Sequence, residues 1–127
     1  MKALFIGGTG NISGACSSLA LERGIELYLL NRGQSLQPVP DGARVINADI
    51  RDPNAARAAL GSLHFDVVAD FIAFTPQHIE TDLELFRGRV GQYFFISSAS
   101  AYQTPPATLP VTESTLLDNP IWQYSRD

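Results

Sequence analysis

The run Gly7-Gly8-Thr9-Gly10-Asn11-Ile12-Ser13-Gly14 constrains this chain more than any other feature. It follows a short apolar stretch, residues 3–6, and opens a segment with helical spacing, residues 11–23. Glycines between a strand and a helix permit a tight reversal and let the backbone come close to a pyrophosphate. The helix N-terminus then offers unpaired N–H groups to the phosphates. The third glycine of such a turn falls at Ser13, a departure from the pattern. Serine is small enough to keep helix and strand close, and Gly14 beside it is expected to compensate by a slight shift.

Strand-like and helix-like segments alternate along the whole chain. After the turn, Ile12, Ala15, Cys16, Leu19 and Ala20 are predicted to share the buried helix face, and Gly24 ends the helix. Residues 25–30 read as a second strand. Residues 33–42, with two glycines and two prolines, read as a loop, and Val45-Ile46 starts a third strand. Asp52-Pro53 is a helix start, a capping carboxylate before a proline at the first helical position. Ala55, Ala56, Ala59 and Leu60 give its stripe and Gly61 its end. Residues 65–69 are strand four. Thr75-Pro76 repeats the start signal, with Ile79, Leu83 and Phe86 as the next stripe before Gly88. Residues 93–96 are strand five. The tail, residues 97–119, is rich in Pro, Thr and Ser and reads as an active-site loop. Asn119-Pro120 then reads as a further helix start, with Ile121-Trp122-Gln123-Tyr124 as its first turn. Short apolar strands alternating with amphipathic helices predict a parallel sheet covered on both faces, an α/β doubly wound domain of the Rossmann type. Right-handed crossovers predict the strand order 3-2-1-4-5.

Composition bounds the function classes. With 127 residues, 45% of them apolar, the chain makes one compact domain. Its net charge of −4 and scattered basic residues give no electrostatic reason to bind nucleic acid or an anionic membrane surface. The apolar stretch behind Met1-Lys2 stops at Gly7, too short for an export signal, and no window has the length of a membrane span. One cysteine, Cys16, allows no internal disulfide and reads as an inert core residue. The expectation is a cytoplasmic protein. His64 and His78 are isolated and lack cysteine company, so no metal site is expected. Asp66 reads as a strand-entry residue, and Asp70 as a residue that shapes the segment after strand four without being catalytic.

Cofactor choice is read at the end of strand two. An acidic side chain there accepts hydrogen bonds from a ribose 2′-hydroxyl and selects NAD. This chain has Asn31-Arg32 instead. A guanidinium pairs with a 2′-phosphate, which favours NADP over NAD.

These residues together resemble the extended short-chain dehydrogenase/reductase family, the NAD-dependent epimerases and dehydratases of nucleotide sugars. The turn Gly7-Gly8-Thr9-Gly10-Asn11-Ile12 is similar to the family's cofactor loop. Asp49-Ile50-Arg51-Asp52 resembles its D-x-R-D segment, which implies that Asp49 and Ile50 hold adenine. Phe71-Ile72-Ala73 resembles the stretch lining the ribose and nicotinamide side. Ser97-Ser98-Ala99-Ser100-Ala101-Tyr102 resembles S-S-x-x-V-Y, which implies that Ser98 is catalytic and leaves Ser97 as a cofactor contact. Tyr124 in Tyr-Ser-Arg-Asp is similar to the start of Y-x-x-x-K, which implies the catalytic base. The Gly-Gly-Thr opening with Asn-Arg-Gly after strand two is closest to a subgroup that includes sequences similar to chloroplast stem-loop RNA-binding proteins.

The family's lysine falls one position beyond Asp127. The resemblance therefore predicts an N-terminal cofactor-domain fragment, residues 1–127, without a substrate domain and inactive alone. A tyrosine with a pKa of about 10 is a poor base at neutral pH without a neighbouring cation. The resemblance implies hydride transfer on a nucleotide-sugar-like substrate in the full-length protein. A non-catalytic, NADP-binding regulatory or RNA-associated protein is the alternative, and a structural or redox-sensing module is a third. Strand five would have a bare outer edge, so self-association is expected.

Overall fold

Leu4, Phe5 and Ile6 lie in the middle of a five-stranded parallel sheet. The order is β3-β2-β1-β4-β5, as the alternation of segments predicts. The computed structural model describes residues 1–121. The strands are β1 (Lys2–Ile6), β2 (Glu26–Asn31), β3 (Arg44–Asn47), β4 (Phe65–Asp70) and β5 (Val90–Phe95). The helices are α1 (Asn11–Glu22), α2 (Pro53–Leu60) and α3 (Pro76–Phe86). The Asn119-Pro120 helix start runs into residues outside the described ones, and Tyr124 lies outside them too.

Strand alternation divides the core. Leu4, Ile6, Tyr28, Leu30 and Val68 face one side, where Ala56 and Leu60 of α2 and Leu85 and Phe86 of α3 pack on them. Ala3, Leu27 and Leu29 face the other side and meet Ala20 of α1. Helices on both faces of a parallel sheet are what right-handed crossovers require when the chain reverses its direction of travel after β3.

The start signals work as read. Asp52 Oδ1 accepts from the N–H groups of Asn54 and Ala55, both at 3.1 Å, and Thr75 Oγ1 accepts from His78 N–H at 3.4 Å. The helix faces need correction. Ile12 and Leu19, predicted inside, are 71% and 48% exposed. Ser13 and Ser17 are buried in their place, beside Ala20. The reason is hydrogen bonding. Ser13 Oγ donates to Gly7 C=O at 2.6 Å and Ser17 Oγ donates to Gly8 C=O at 2.9 Å. The glycine turn thus fixes the rotation of α1, and the larger apolar residues turn outward. Cys16 is half-buried and stands outside both core clusters. On α2 only Ala56 and Leu60 of the predicted stripe are buried. On α3, Leu83 is exposed, and Asp82 joins Leu85 and Phe86 inside. Strand β5 begins at Val90, earlier than predicted, because Val90 pairs with Phe65 once the chain has turned through Gly88.

The chain divides into two compact units, Met1–Ile96 and a second that begins at Ser97. The sheet and its helices make up the first. Among its described residues the second is mostly irregular, with one short 3-10 turn, Ala99–Ala101. Its organiser is Asn119, which is buried. The Asn119 amide donates to Ser100 C=O at 2.7 Å and to Thr104 Oγ1 at 3.3 Å.

Candidate functional site

The carboxyl ends of β1, β2 and β3 border a cleft of about 370 Å³. The glycine turn forms one wall. Gly7 has φ +79, and a Cβ there would stand 2.6 Å from Ile72 Cγ2. Gly8 is hemmed in as well: a Cβ would stand 2.5 Å from Leu29 Cδ2. A side chain is strained at Gly7 by the backbone conformation, and at both positions a Cβ requires its neighbour to shift. Thr9 is buried, whereas Gly10, Asn11 and Ile12 are exposed at the mouth of α1. A helix leaves its first N–H groups without intrahelical partners, so this end of α1 suits an anion.

Ser13 replaces the third glycine by a tie. Its hydroxyl donates to Gly7 C=O and accepts from Gly10 N–H at 2.8 Å, which cross-braces the turn. Gly14 does not compensate for it: a Cβ at Gly14 would have no neighbour within 4 Å, so that glycine serves no close approach.

The opposite wall comes from β2 and the β3–α2 connection. Asn31 Oδ1 accepts from Gly33 N–H at 3.0 Å and shapes the turn after β2. Arg32 extends over the cleft with its side chain 62% exposed, and its Nη1 lies 3.9 Å from Asp49 Oδ2. Asp49 Oδ1 accepts from Arg51 N–H at 2.9 Å, while Ile50 is buried in the floor. Of the Phe71-Ile72-Ala73 stretch, only Ile72 lines this cleft. Phe71 packs edge-on against Phe5 at 5.4 Å, and Ala73 is buried. Leu30, Gln34, Ser35 and Ala48 also border the cleft. No sequence signal singled them out, because two are ordinary strand-end apolar residues and two lie in the loop after Gly33.

Behind Ile72 lies a cluster that the sequence does not announce. Arg51 Nη2 donates to Asp70 Oδ2 at 3.3 Å and to Ile72 C=O at 3.2 Å. Arg51 Nη1 stands 3.5 Å from Asp82 Oδ1. Asp70 Oδ1 accepts from Ile72 N–H at 2.6 Å, and Tyr93 O–H donates to Asp82 Oδ2 at 2.8 Å. Both carboxyl groups are fully buried. Burial first, then the neighbouring Asp70, pushes the Asp82 carboxyl up to about 7, against the opposing pull of Tyr93 and Arg51. Burial and the same acid push the Tyr93 phenol up.

In the second unit, Ser98 Oγ lies 2.7 Å from Ser100 Oγ and accepts from Ser100 N–H at 3.2 Å, which makes Ser98 the cap of the short 3-10 turn. Ser97 is exposed. Among the described residues no group of three or more His, Cys, Asp or Glu side chains is placed to hold a metal ion. No described helix is long and apolar enough to cross a membrane.

The comparisons with known proteins agree on the fold. A UDP-glucose 4-epimerase superposes with a TM-score of 0.78 at 20% identity, over 94% of this chain and 42% of that one. The UDP-glucose 4-epimerase of Bifidobacterium longum, solved with NAD+ and UDP, gives 0.76 at 22% identity, over 99% and 45%. The Bordetella bronchiseptica enzyme WbmG, solved with NAD, gives 0.74 at 18% identity, over 94% and 44%. This chain therefore spans less than half the length of these solved structures. No curated protein matches it. The family model described as the NAD dependent epimerase/dehydratase family matches residues 3–127, and the chain belongs to that family.

Proposed function

We propose that the cleft beside the glycine turn binds the adenosine and pyrophosphate portion of a nicotinamide dinucleotide, and that the chain is the cofactor half of a nucleotide-sugar epimerase, dehydratase or reductase. One observation carries the reading. Gly7, Thr9 and Gly10 at the mouth of α1 border the same cleft as Arg32, Asp49 and Ile50, and Gly7 is crowded there by Ile72. The residues fit the group: backbone N–H for phosphate, a carboxylate beside an apolar floor for adenine, and a cation for the ribose end. When bound, the dinucleotide would accept or return a hydride at a carbinol carbon. On this reading Ser98 hydrogen-bonds the reacting oxygen and Tyr124 takes its proton. Ser97 contacts the dinucleotide, and Phe71 and Ala73 hold Ile72 in place as the wall.

The finer reading favours NADP. Arg32 is largely exposed, and at 3.9 Å Asp49 leaves guanidinium donors free for a 2′-phosphate. Two of the solved structures named above, the Bifidobacterium longum epimerase and WbmG, carry NAD, so a preference for NADP would set this chain apart from them. Calorimetric titration with both dinucleotides is the test. NADP is expected to bind more tightly, and Arg32→Ala is expected to remove most of the difference. Equal affinities, unchanged by Arg32→Ala, overturn the NADP reading; no binding of either overturns the dinucleotide reading.

We also propose that the chain self-associates through β5. That strand forms one edge of the sheet, and Phe94, Phe95 and Ile96 at its end are 43%, 47% and 39% exposed. An unpaired edge with apolar side chains is a template for a second copy. Sedimentation at micromolar concentration is expected to show dimers; a clean monomer refutes it.

A further inference from the structure

The Arg51 cluster joins parts of the chain that the cleft needs in register. Arg51 follows Asp49 and Ile50 directly, and its own N–H fixes the Asp49 carboxylate. Its guanidinium reaches across to Asp70 at the end of β4, to the Ile72 carbonyl beyond it, and to Asp82 on α3. Both backbone polar groups of Ile72 are thereby occupied, the carbonyl by Arg51 and the N–H by Asp70. The Ile72 side chain in turn fills the space over Gly7 that a Cβ would need. One cation thus holds the wall that faces the glycine turn.

The cluster is short of positive charge. Two buried carboxyl groups face a single guanidinium. Asp82 Oδ1 and Arg51 Nη1 are both buried and neither makes a hydrogen bond. A buried ionised carboxylate oxygen without a donor is costly, and a proton on the acid removes that cost. The groups acting on Asp82 are Arg51 from the β3–α2 connection, Asp70 from β4 and Tyr93 from β5. His78 lies on α3 as well, but its Nδ1 is occupied with Phe74 N–H at 3.1 Å.

We propose that Arg51, Asp70 and Asp82 form a proton-linked clamp on Ile72, which makes dinucleotide affinity fall as Asp82 ionises. With Asp82 protonated, the guanidinium is committed to Asp70 and the Ile72 carbonyl, and the wall stands closed on Gly7. When Asp82 loses its proton, the bare carboxylate draws Arg51 toward α3 and away from Ile72. Arg51 is here a positioning residue: it borders the wall and acts through Ile72. The effect on affinity rests on the dinucleotide reading of the cleft, whereas the clamp itself is observable without any ligand.

The test has two parts. In the ligand-free protein, the 15N–1H resonance of Ile72 is followed from pH 5.5 to 8.5. It is expected to titrate in the parent and to stay flat in Asp82→Asn, which removes the acid and leaves His78 in place. Tyr93→Phe removes a hydrogen bond that favours the ionised acid, so its midpoint is expected to move up in pH. An Ile72 resonance that does not titrate, or that titrates unchanged in Asp82→Asn and Tyr93→Phe alike, overturns the clamp. Calorimetry with NADP and NAD at pH 6 and 8.5 then reads the coupling. Affinity is expected to fall by about fivefold in the parent, an ordinary size for coupled sites, and to be level in Asp82→Asn. Binding with the same affinity at both pH values in the parent overturns the coupling. Absence of binding at every pH overturns the dinucleotide reading and not the clamp.

Discussion

Replacing Ser13 asks whether the missing third glycine is a defect or a brace. Its hydroxyl is buried and makes two hydrogen bonds, to Gly7 C=O and from Gly10 N–H. A net loss of about 1 kcal/mol per bond gives about 2 kcal/mol for Ser13→Ala. Alanine regains roughly 0.5 kcal/mol through its better helix propensity, since residue 13 lies in the first turn of α1. The expected destabilisation is about 1.5 kcal/mol. For a chain of this size that lowers Tm by roughly 5–9 °C. Ser13→Gly restores the standard glycine pattern but loses the same bonds, and glycine is the poorer helix former by roughly 0.5 kcal/mol. It is expected to melt lower still. Thermal melts followed by far-UV circular dichroism, with urea titrations beside them, read both variants. If Ser13→Gly melts at or above the parent, or Ser13→Ala leaves Tm unchanged, the brace does not exist and the serine is only a tolerated departure.

Two glycines in the same segment are expected to respond in opposite directions. Gly8→Ala forces a Cβ against buried Leu29 and strains the carbonyl that Ser17 holds, at a cost of about 1–3 kcal/mol read as a lower urea midpoint. Gly14→Ala meets nothing within 4 Å inside α1 and is expected to raise stability by about 0.5–1 kcal/mol. Asp52→Ala removes the cap of α2 from two N–H groups and is expected to cost about 1 kcal/mol in the same titration. The pH dependence of stability carries the sign of Asp82. Its carboxyl is raised to about 7 in the folded protein, above the ordinary carboxylate value, so its contribution is complete in acid and is lost as pH climbs toward neutrality. The Asp82→Asn variant is expected to gain stability relative to the parent as pH rises from about 4 to about 7 and to hold that gain above; a difference that does not grow over that window contradicts the assignment.

The strand order was legible because three of the short apolar runs are each followed by a helix start, the glycine turn after β1, Asp52 after β3 and Thr75 after β4, while β2 passes to β3 through a loop alone. Those are local signals, and local hydrogen bonds read them out. The buried face of α1 was not legible. Periodicity counts apolar side chains, and here two serines go inside because carbonyls of the turn need donors. Asp82 was missed for a related reason: an acid on a helix reads as a solvent-facing residue unless its partners are known, and they come from the β3–α2 connection, β4 and β5. The glycine turn, Arg32, Asp49, Ile50 and Ile72 were singled out from motif and position; Gly7, Thr9 and Gly10 of the turn share one cleft with the other four, whereas Gly8, Asn11 and Ile12 do not line it. Ser98 was read for chemistry, and in its own unit it caps a turn.

The contact between Gly7 and Ile72 also bears on when the cleft can come into being. Its two walls belong to segments far apart in the chain, and they meet only after β4 has docked beside β1. A cleft closed by so non-local a contact belongs to the late part of folding, after most of the loop-closure entropy has been spent. A ligand held there would therefore act mainly on the unfolding rate, lengthening the life of the native state while leaving the rate of reaching it nearly unchanged.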